Sequence, residues 1–157
     1  TLLTRNAEGY DGVEPSGNSS VTNAFLRLRS YGFSPEFYSD AQRILRSFVP
    51  HLKQAGVSFS AMLGALHFSL SEPKEIIISG RRGDPETEAL LKEVRSEFHP
   101  NIVVAFVENG ESPETEKIIP LASGRVMVNE RATAYVCQNQ TCQLPVHSIK
   151  ELQKLLN

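Results

Sequence analysis

Cysteine is scarce in this chain, with 2 among 157 residues, so the disulfide framework that staples small secreted domains is excluded. That scarcity favours a reducing, cytoplasmic or organellar compartment. Long apolar runs are missing too. The longest are strand-sized, such as Ile76-Ile77-Ile78 and the run from Ile102 to Val107, whereas a membrane helix needs about 20 apolar residues. No membrane partner is expected. Charge of one sign is also lacking: 16 basic against 18 acidic residues give a formal net charge of -2, which leaves no footprint for nucleic acid. The start, Thr1-Leu2-Leu3-Thr4-Arg5, has neither methionine nor the parts of a signal peptide, as an excised piece of a longer protein would. There is no internal repeat, no Gly-x-Gly-x-x-Gly, no Walker lysine pattern and no nucleophile elbow, so no cofactor is expected.

What is present is a composition of 40% hydrophobic and 22% charged residues, enough for one ordinary domain or two small units. Up to about Ser20 the chain reads as a loop, punctuated by Gly9, Asp11-Gly12, Pro15 and Gly17-Asn18. Helix is expected only from Ser19 onward, with Asn18, Ser19 or Ser20 as cap and Val21, Ala24, Phe25, Leu26 and Leu28 as its apolar face; Gly32 ends it. Ser34-Pro35-Glu36 opens a second helix carrying Phe37, Ala41, Ile44, Leu45, Phe48 and Val49, which Pro50 is expected to bend or break. A third helix starts near Ser58 and stops before Pro73.

After Pro73 the pattern changes. Glu75 to Ser79 reads as a strand, Asp84-Pro85-Glu86 opens a helix with Leu90, Leu91, Val94 and Phe98 on one face, and Ile102 to Val107 reads as a second strand. Such a βαβ unit predicts two parallel, doubly covered strands. A short helix is expected over 114–121 and a weak strand over 124–128. Ala132 to Cys137 and Cys142 to Val146 form a hairpin around four residues, and a helix capped by Ser148 closes the chain. The fold class is therefore mixed α+β and α/β: three helices, then a small α/β unit (βαβ, hairpin and final helix) with a mixed sheet.

Three motifs carry a resemblance to a known family: Asp11-Gly12-Val13-Glu14-Pro15-Ser16-Gly17-Asn18-Ser19, the run from Ala65-Leu66-His67-Phe68 to Pro73-Lys74-Glu75-Ile76, and Ala132-Thr133-Ala134-Tyr135-Val136-Cys137 with Cys142-Gln143-Leu144-Pro145-Val146. In the same order and over nearly the whole chain they resemble the closing landmarks of the spermatogenesis-associated protein 20 and YyaL-like family. The resemblance implies a parent with a thioredoxin-like domain, then an α/α toroid like those of six-hairpin glycosidases and N-acylglucosamine 2-epimerases, then an α/β segment. Residues 1–72 would be the last helices of that toroid, left incomplete here, and 73–157 the small α/β domain. The family's Cys-x-x-Cys is absent, and His67 stands where relatives usually carry an acid.

Asp11, Glu14, Ser16 and Asn18 form the main candidate site. Two carboxylates, a hydroxyl and an amide on a loop entering a helix suit a polyhydroxyl ligand, and Asp11 with Glu14 are the catalytic candidates if held about 5–10 Å apart across a sugar. The structural alternative is that these residues cap the helix and fix the loop. Cys137 and Cys142 flank the hairpin loop, either as packed free thiols, as a disulfide, or as a redox pair. His51, His67, His99 and His147 show no metal-ligand spacing, and no metal site is expected. The expected function is a non-catalytic C-terminal module that completes the toroid and binds a ligand or partner. The expected partners are the remainder of the parent protein, a sugar-like ligand, and a second copy through exposed helices. Alternatives are a fragment of a carbohydrate-modifying enzyme and a redox module using Cys137 and Cys142.

Overall fold

The computed structural model describes residues 9–108, 117–139 and 141–156. The chain divides into two compact units, one of residues 1–29 and 34–71, the other of residues 30–33 and 72–157.

The first unit is helical: α1 (Gly17–Ser30), α2 (Glu36–Ala55), a 3-10 turn (Gly56–Phe59) and α3 (Ser60–Leu70). α1 starts earlier than the sequence pattern predicts, because Ser16 is its cap: the Ser16 hydroxyl accepts from Ser19 N–H at 3.2 Å and its carbonyl from Ser20 N–H at 2.9 Å. α2 runs through Pro50 to Ala55 without breaking; proline costs one hydrogen bond there, and its ring faces solvent. Ala41, Leu45 and Phe48 on α2 are buried, as are Phe59 and, on α3, Met62, Ala65 and Phe68. Asn23 fastens α1 to α3 by donating to the Ala61 carbonyl at 3.0 Å.

The second unit is built on a mixed sheet of order β2-β1-β3-β4. β1 (Lys74–Gly80) pairs in parallel with β2 (Ile102–Glu108), joined by α4 (Pro85–Val94), as the βαβ pattern predicts. β3 (Thr133–Gln138) lies antiparallel on the other side of β1, and β4 (Thr141–Cys142) pairs with β3. Alternation along the strands splits the core between two faces. Ile76, Ile78, Ala134 and Val136 pack with Leu90, Leu91 and Val94 of α4 and Leu152 of α5 (Ile149–Leu156). Ile77, Ala105, Val107, Tyr135 and Cys137 pack on the opposite face with Ala122 and the partly buried Tyr31, Ile119 and Leu121.

Local chemistry fixes the ends of these elements. Asp84 caps α4, accepting from Thr87 N–H at 3.1 Å. Ser148 and Glu151 form a capping box on α5: Ser148 N–H donates to the Glu151 carboxylate at 3.2 Å, and Glu151 N–H donates to the Ser148 hydroxyl at 3.3 Å. The Lys74 ammonium reaches the other end of α5 and donates to the carbonyls of Leu155 and Leu156 at 2.9 and 2.7 Å.

Several expectations are corrected here. α4 ends at Val94, leaving Phe98 90% exposed rather than on its buried face. Residues 124–128 form no strand; Val128 makes only an isolated bridge to Arg131. The second hairpin strand has two residues: Gln143 N–H still donates to the Val136 carbonyl at 2.9 Å, but Pro145 has no N–H to continue the ladder, and the next exchange of backbone hydrogen bonds is between Ala134 and Val146. Of the helix expected over 114–121, Lys117 and Ile118 are helical and Pro120–Ala122 is a 3-10 turn, while residues 114–116 lie outside the described residues, as do Thr1 to Arg5 and the loop Gly110-Glu111-Ser112-Pro113.

Candidate functional site

Asp11 lies on the loop before α1, is only 8% exposed, and has both carboxylate oxygens committed to backbone amides. Oδ1 accepts from Ser16 N–H at 2.8 Å, and Oδ2 accepts from Ala61 N–H at 2.9 Å and Met62 N–H at 3.1 Å, across some fifty residues of chain. Ala61 and Met62 stand in the first turn of α3, whose amides have no partner within the helix. Asp11 thus caps α3 from a distance while bracing the turn that starts α1, and the helix dipole favours its negative charge. The Asp11 N–H itself donates to the Ser58 carbonyl at 2.9 Å, which closes the loop onto the 3-10 turn.

Burial is the largest single influence on the Asp11 carboxyl and pushes its pKa up. The hydrogen bonds from Ser16, Ser19, Met62 and Ala61 together outweigh it and hold the group below the ordinary value of 3.8. A depressed carboxylate contributes stability that is fully present above the unfolded value and is lost as pH falls through the lower folded value. The wild-type chain is therefore expected to lose stability below about pH 4. In an Asp11→Asn variant, amide exchange at Ala61 and Met62 followed down the pH scale should show a shallower loss of protection in that range; parallel curves for the two proteins would count against this role of Asp11.

The other candidate residues fare differently. Ser16 is used as a cap, its hydroxyl also donating to Ser19 Oγ at 2.9 Å. Glu14 is exposed, and Asn18 is half-buried beside a cleft of about 300 Å³ within the helical unit. Tyr10, Phe48, His51 and Phe59 line the same cleft. Phe48, His51 and Phe59 form an aromatic cluster with ring centroids 5.7 to 6.3 Å apart. Gly9 touches this cluster: a Cβ at Gly9 would run into the Phe48 ring, so only glycine lets the loop lie there. The sequence gives no sign of this cleft: Phe48 reads as one more apolar position of an amphipathic helix, and Tyr10 and His51 lie on separate segments that only folding brings together.

In the α/β unit Cys137 and Cys142 form a disulfide, which removes the free-thiol reading of the pair. They are register partners across β3 and β4, so the hairpin alone brings them together. The arginines of the turn after β1 meet carboxylates: Arg82 donates to Glu108 at 3.2 Å, and Arg81 lies 4.0 Å from Glu130. His67 is exposed, and its backbone carbonyl accepts from Ser71 N–H and hydroxyl at 3.0 and 2.7 Å. Among the described residues no cluster of three or more His, Cys, Asp or Glu is placed to hold a metal ion. Nor is any described helix long and apolar enough to cross a membrane.

No family profile and no solved structure matches the chain. Curated proteins do. The chain is 31% identical to human spermatogenesis-associated protein 20 over 156 residues, 99% of this chain and 20% of that protein, and equally to the mouse protein. An uncharacterised protein of Caenorhabditis elegans is 28% identical over 163 residues, again 99% of this chain and 21% of that protein. The chain thus spans about one fifth of the length of the relatives it matches. Similarity sustained along essentially its whole length identifies the chain as a region of the spermatogenesis-associated protein 20 family, consistent with the C-terminal region that its motifs suggest.

Proposed function

We propose that the chain is the C-terminal module of a larger protein, non-catalytic by itself, in which residues 1–72 are the closing helices of an α/α toroid and 73–157 an attached α/β domain. The observation that carries this reading is the apolar surface left on consecutive helical elements: Val57 is 89% exposed, Leu70 77% and Leu63 39%. Apolar side chains at that level of exposure on one stretch of chain mark an interface. The remainder of the parent protein, including its thioredoxin-like domain and the other toroid helices, is the intended occupant, and self-association is what an isolated module would do instead. The test compares Val57→Glu with Leu70→Glu in the full-length protein and in the isolated chain. Both changes are expected to increase protease sensitivity of the full-length protein and to make the isolated chain more monomeric. Full-length protein indifferent to both would refute the proposal.

The aromatic cleft favours a second reading, a contribution to a carbohydrate-modifying site of epimerase or glycosidase type. Tilted aromatic rings beside the Asn18 amide offer an apolar face to a sugar ring, with Glu14 and Ser16 on the same loop as further contacts. Asp11 enters this reading as support for the loop rather than as an acid or base, since backbone amides occupy both of its oxygens. Substituting Glu14 and Asn18 together should abolish sugar binding without unfolding the protein; intact binding would remove this reading. A cytoplasmic setting, favoured by the scarce cysteine, belongs to the same proposal, and in that compartment a disulfide persists mainly as a reversible bond.

A further inference from the structure

The disulfide of the α/β unit is chemically lopsided. Cys137 on β3 is 2% exposed, whereas Cys142 on the edge strand β4 is exposed, so an incoming reagent reaches one sulfur and not the other. Beside the exposed sulfur stands Arg125. One terminal guanidinium nitrogen lies 3.1 Å from Cys142 Sγ, and the other donates to the Ser123 carbonyl at 2.8 Å. Its Nε is buried without a hydrogen-bond partner, and its guanidinium carbon sits 5.8 Å from the centre of the Tyr135 ring. Among the described residues no carboxylate lies within ion-pair distance of Arg125. The Ser123 carbonyl thus holds one arm of the guanidinium in place while the other faces sulfur.

We propose that Cys142 is a reversible thiol–disulfide exchange site, served by a small dithiol or a glutathione-type thiol, with Arg125 as the positioning residue that holds the Cys142 thiolate. In reduction by a dithiol, one thiolate attacks Cys142 Sγ, the bond to Cys137 breaks, and Cys137 leaves as a thiolate that takes a proton from water. The second thiol of the reagent loses its proton and attacks the reagent's own sulfur in the mixed disulfide. The reagent's cyclic disulfide forms, and Cys142 leaves as a thiolate facing the Arg125 guanidinium. Two electrons have passed from dithiol to protein, and the reverse sequence restores the bond. A neighbouring guanidinium favours the thiolate, which is the leaving group in one direction and the nucleophile in the other.

Opening the bond leaves the sheet in place. β3 stays paired with β1 from Ser79 and Thr133 to Lys74 and Gln138, and Val146 keeps its backbone bonds to Ala134. Only the two-residue edge strand loses a side-chain tie, so exchange can cycle without unfolding.

The experiment uses the full-length protein, oxidised glutathione and iodoacetamide, with fragment-ion mass spectrometry to separate the two cysteines. Dithiothreitol at pH 7 should open the bond while circular dichroism stays unchanged, and Cys142 should then be alkylated ahead of Cys137. In a Cys137→Ser background glutathione should attach to Cys142, and Arg125→Met should slow Cys142 alkylation by about tenfold, with Arg125→Lys restoring most of the rate. The proposal is overturned if the bond yields only after denaturation, if Cys137 reacts first, or if Arg125→Met folds and leaves the rate unchanged. If that variant does not fold, Arg125→Lys and the order of alkylation still decide it.

Discussion

Replacing Asp11 by alanine is expected to cost the helical unit about 2–4 kcal/mol, more than any other substitution in the motif that contains it. Three backbone amides lose their acceptor at once, those of Ser16, Ala61 and Met62, and Met62 itself is fully buried. Water cannot readily replace a carboxylate that is 8% exposed, so the amides pay the cost of being left unpaired. Because the chain has two compact units, a single unfolding midpoint would blend two transitions. Native-state hydrogen exchange at Ala61 and Met62 is the sharper readout: both amides should exchange roughly 30- to 1,000-fold faster in the variant, the factor that about 2–4 kcal/mol implies. Glu14→Ala on the same loop, exposed as Glu14 is, should change them hardly at all. Equal effects from the two substitutions would contradict the capping role.

The second large effect is expected at Ile77. Its side chain is wholly buried, on the central strand β1, between the register partners Ala105 of β2 and Tyr135 of β3. Ile77→Ala removes three carbons from a face packed by Val107, Ala122 and Cys137, and the flanking strands cannot close the gap without breaking the ladders on both sides. A loss of about 3–4 kcal/mol should follow, read as a lower denaturation midpoint of the α/β unit at constant slope. Phe98→Ala is the matched contrast. Its ring is larger, yet at 90% exposure it should cost no more than about 0.5 kcal/mol. A greater cost at Phe98 than at Ile77 would mean that the end of α4 is placed wrongly.

The contrast also shows where sequence reasoning carries and where it stops. The βαβ unit was readable because Ile76 to Ile78 and Ile102 to Val107 are apolar on both faces, which only a covered parallel pair uses, and because Asp84-Pro85 is a strong helix start. Phe98 misled because spacing continues a helical stripe past the point where Val94 actually ends it. At Pro50 the opposite holds: its local penalty is real, but it does not break α2, which Ala41, Leu45 and Phe48 anchor by burial ahead of the proline and which continues to Ala55. The short β4 followed from Pro145, a signal present in the sequence but set aside in favour of the alternating residues around it.

For the candidate site, the residue types were visible and their partners were not. Asp11 and Ser16 stood out as polar groups ahead of a helix, yet the local reading offered Asn18, Ser19 or Ser20 as the cap and had no means of pairing Asp11 with amides fifty residues away. Likewise the spacing of Cys137 and Cys142 allowed thiols, a disulfide or a redox pair, while the register of β3 against β4 put the two sulfurs in bond.

By itself the sequence determined the kinship, the mixed architecture and the order of elements, since those follow from local periodicity, turn chemistry and motifs contained within short stretches of chain. Only the tertiary structure decided what each polar group is for. Whether a carboxylate is a base or a cap, and whether an arginine meets a carboxylate or a sulfur, depends on groups distant in sequence, brought within about 3 Å by packing that no local pattern encodes.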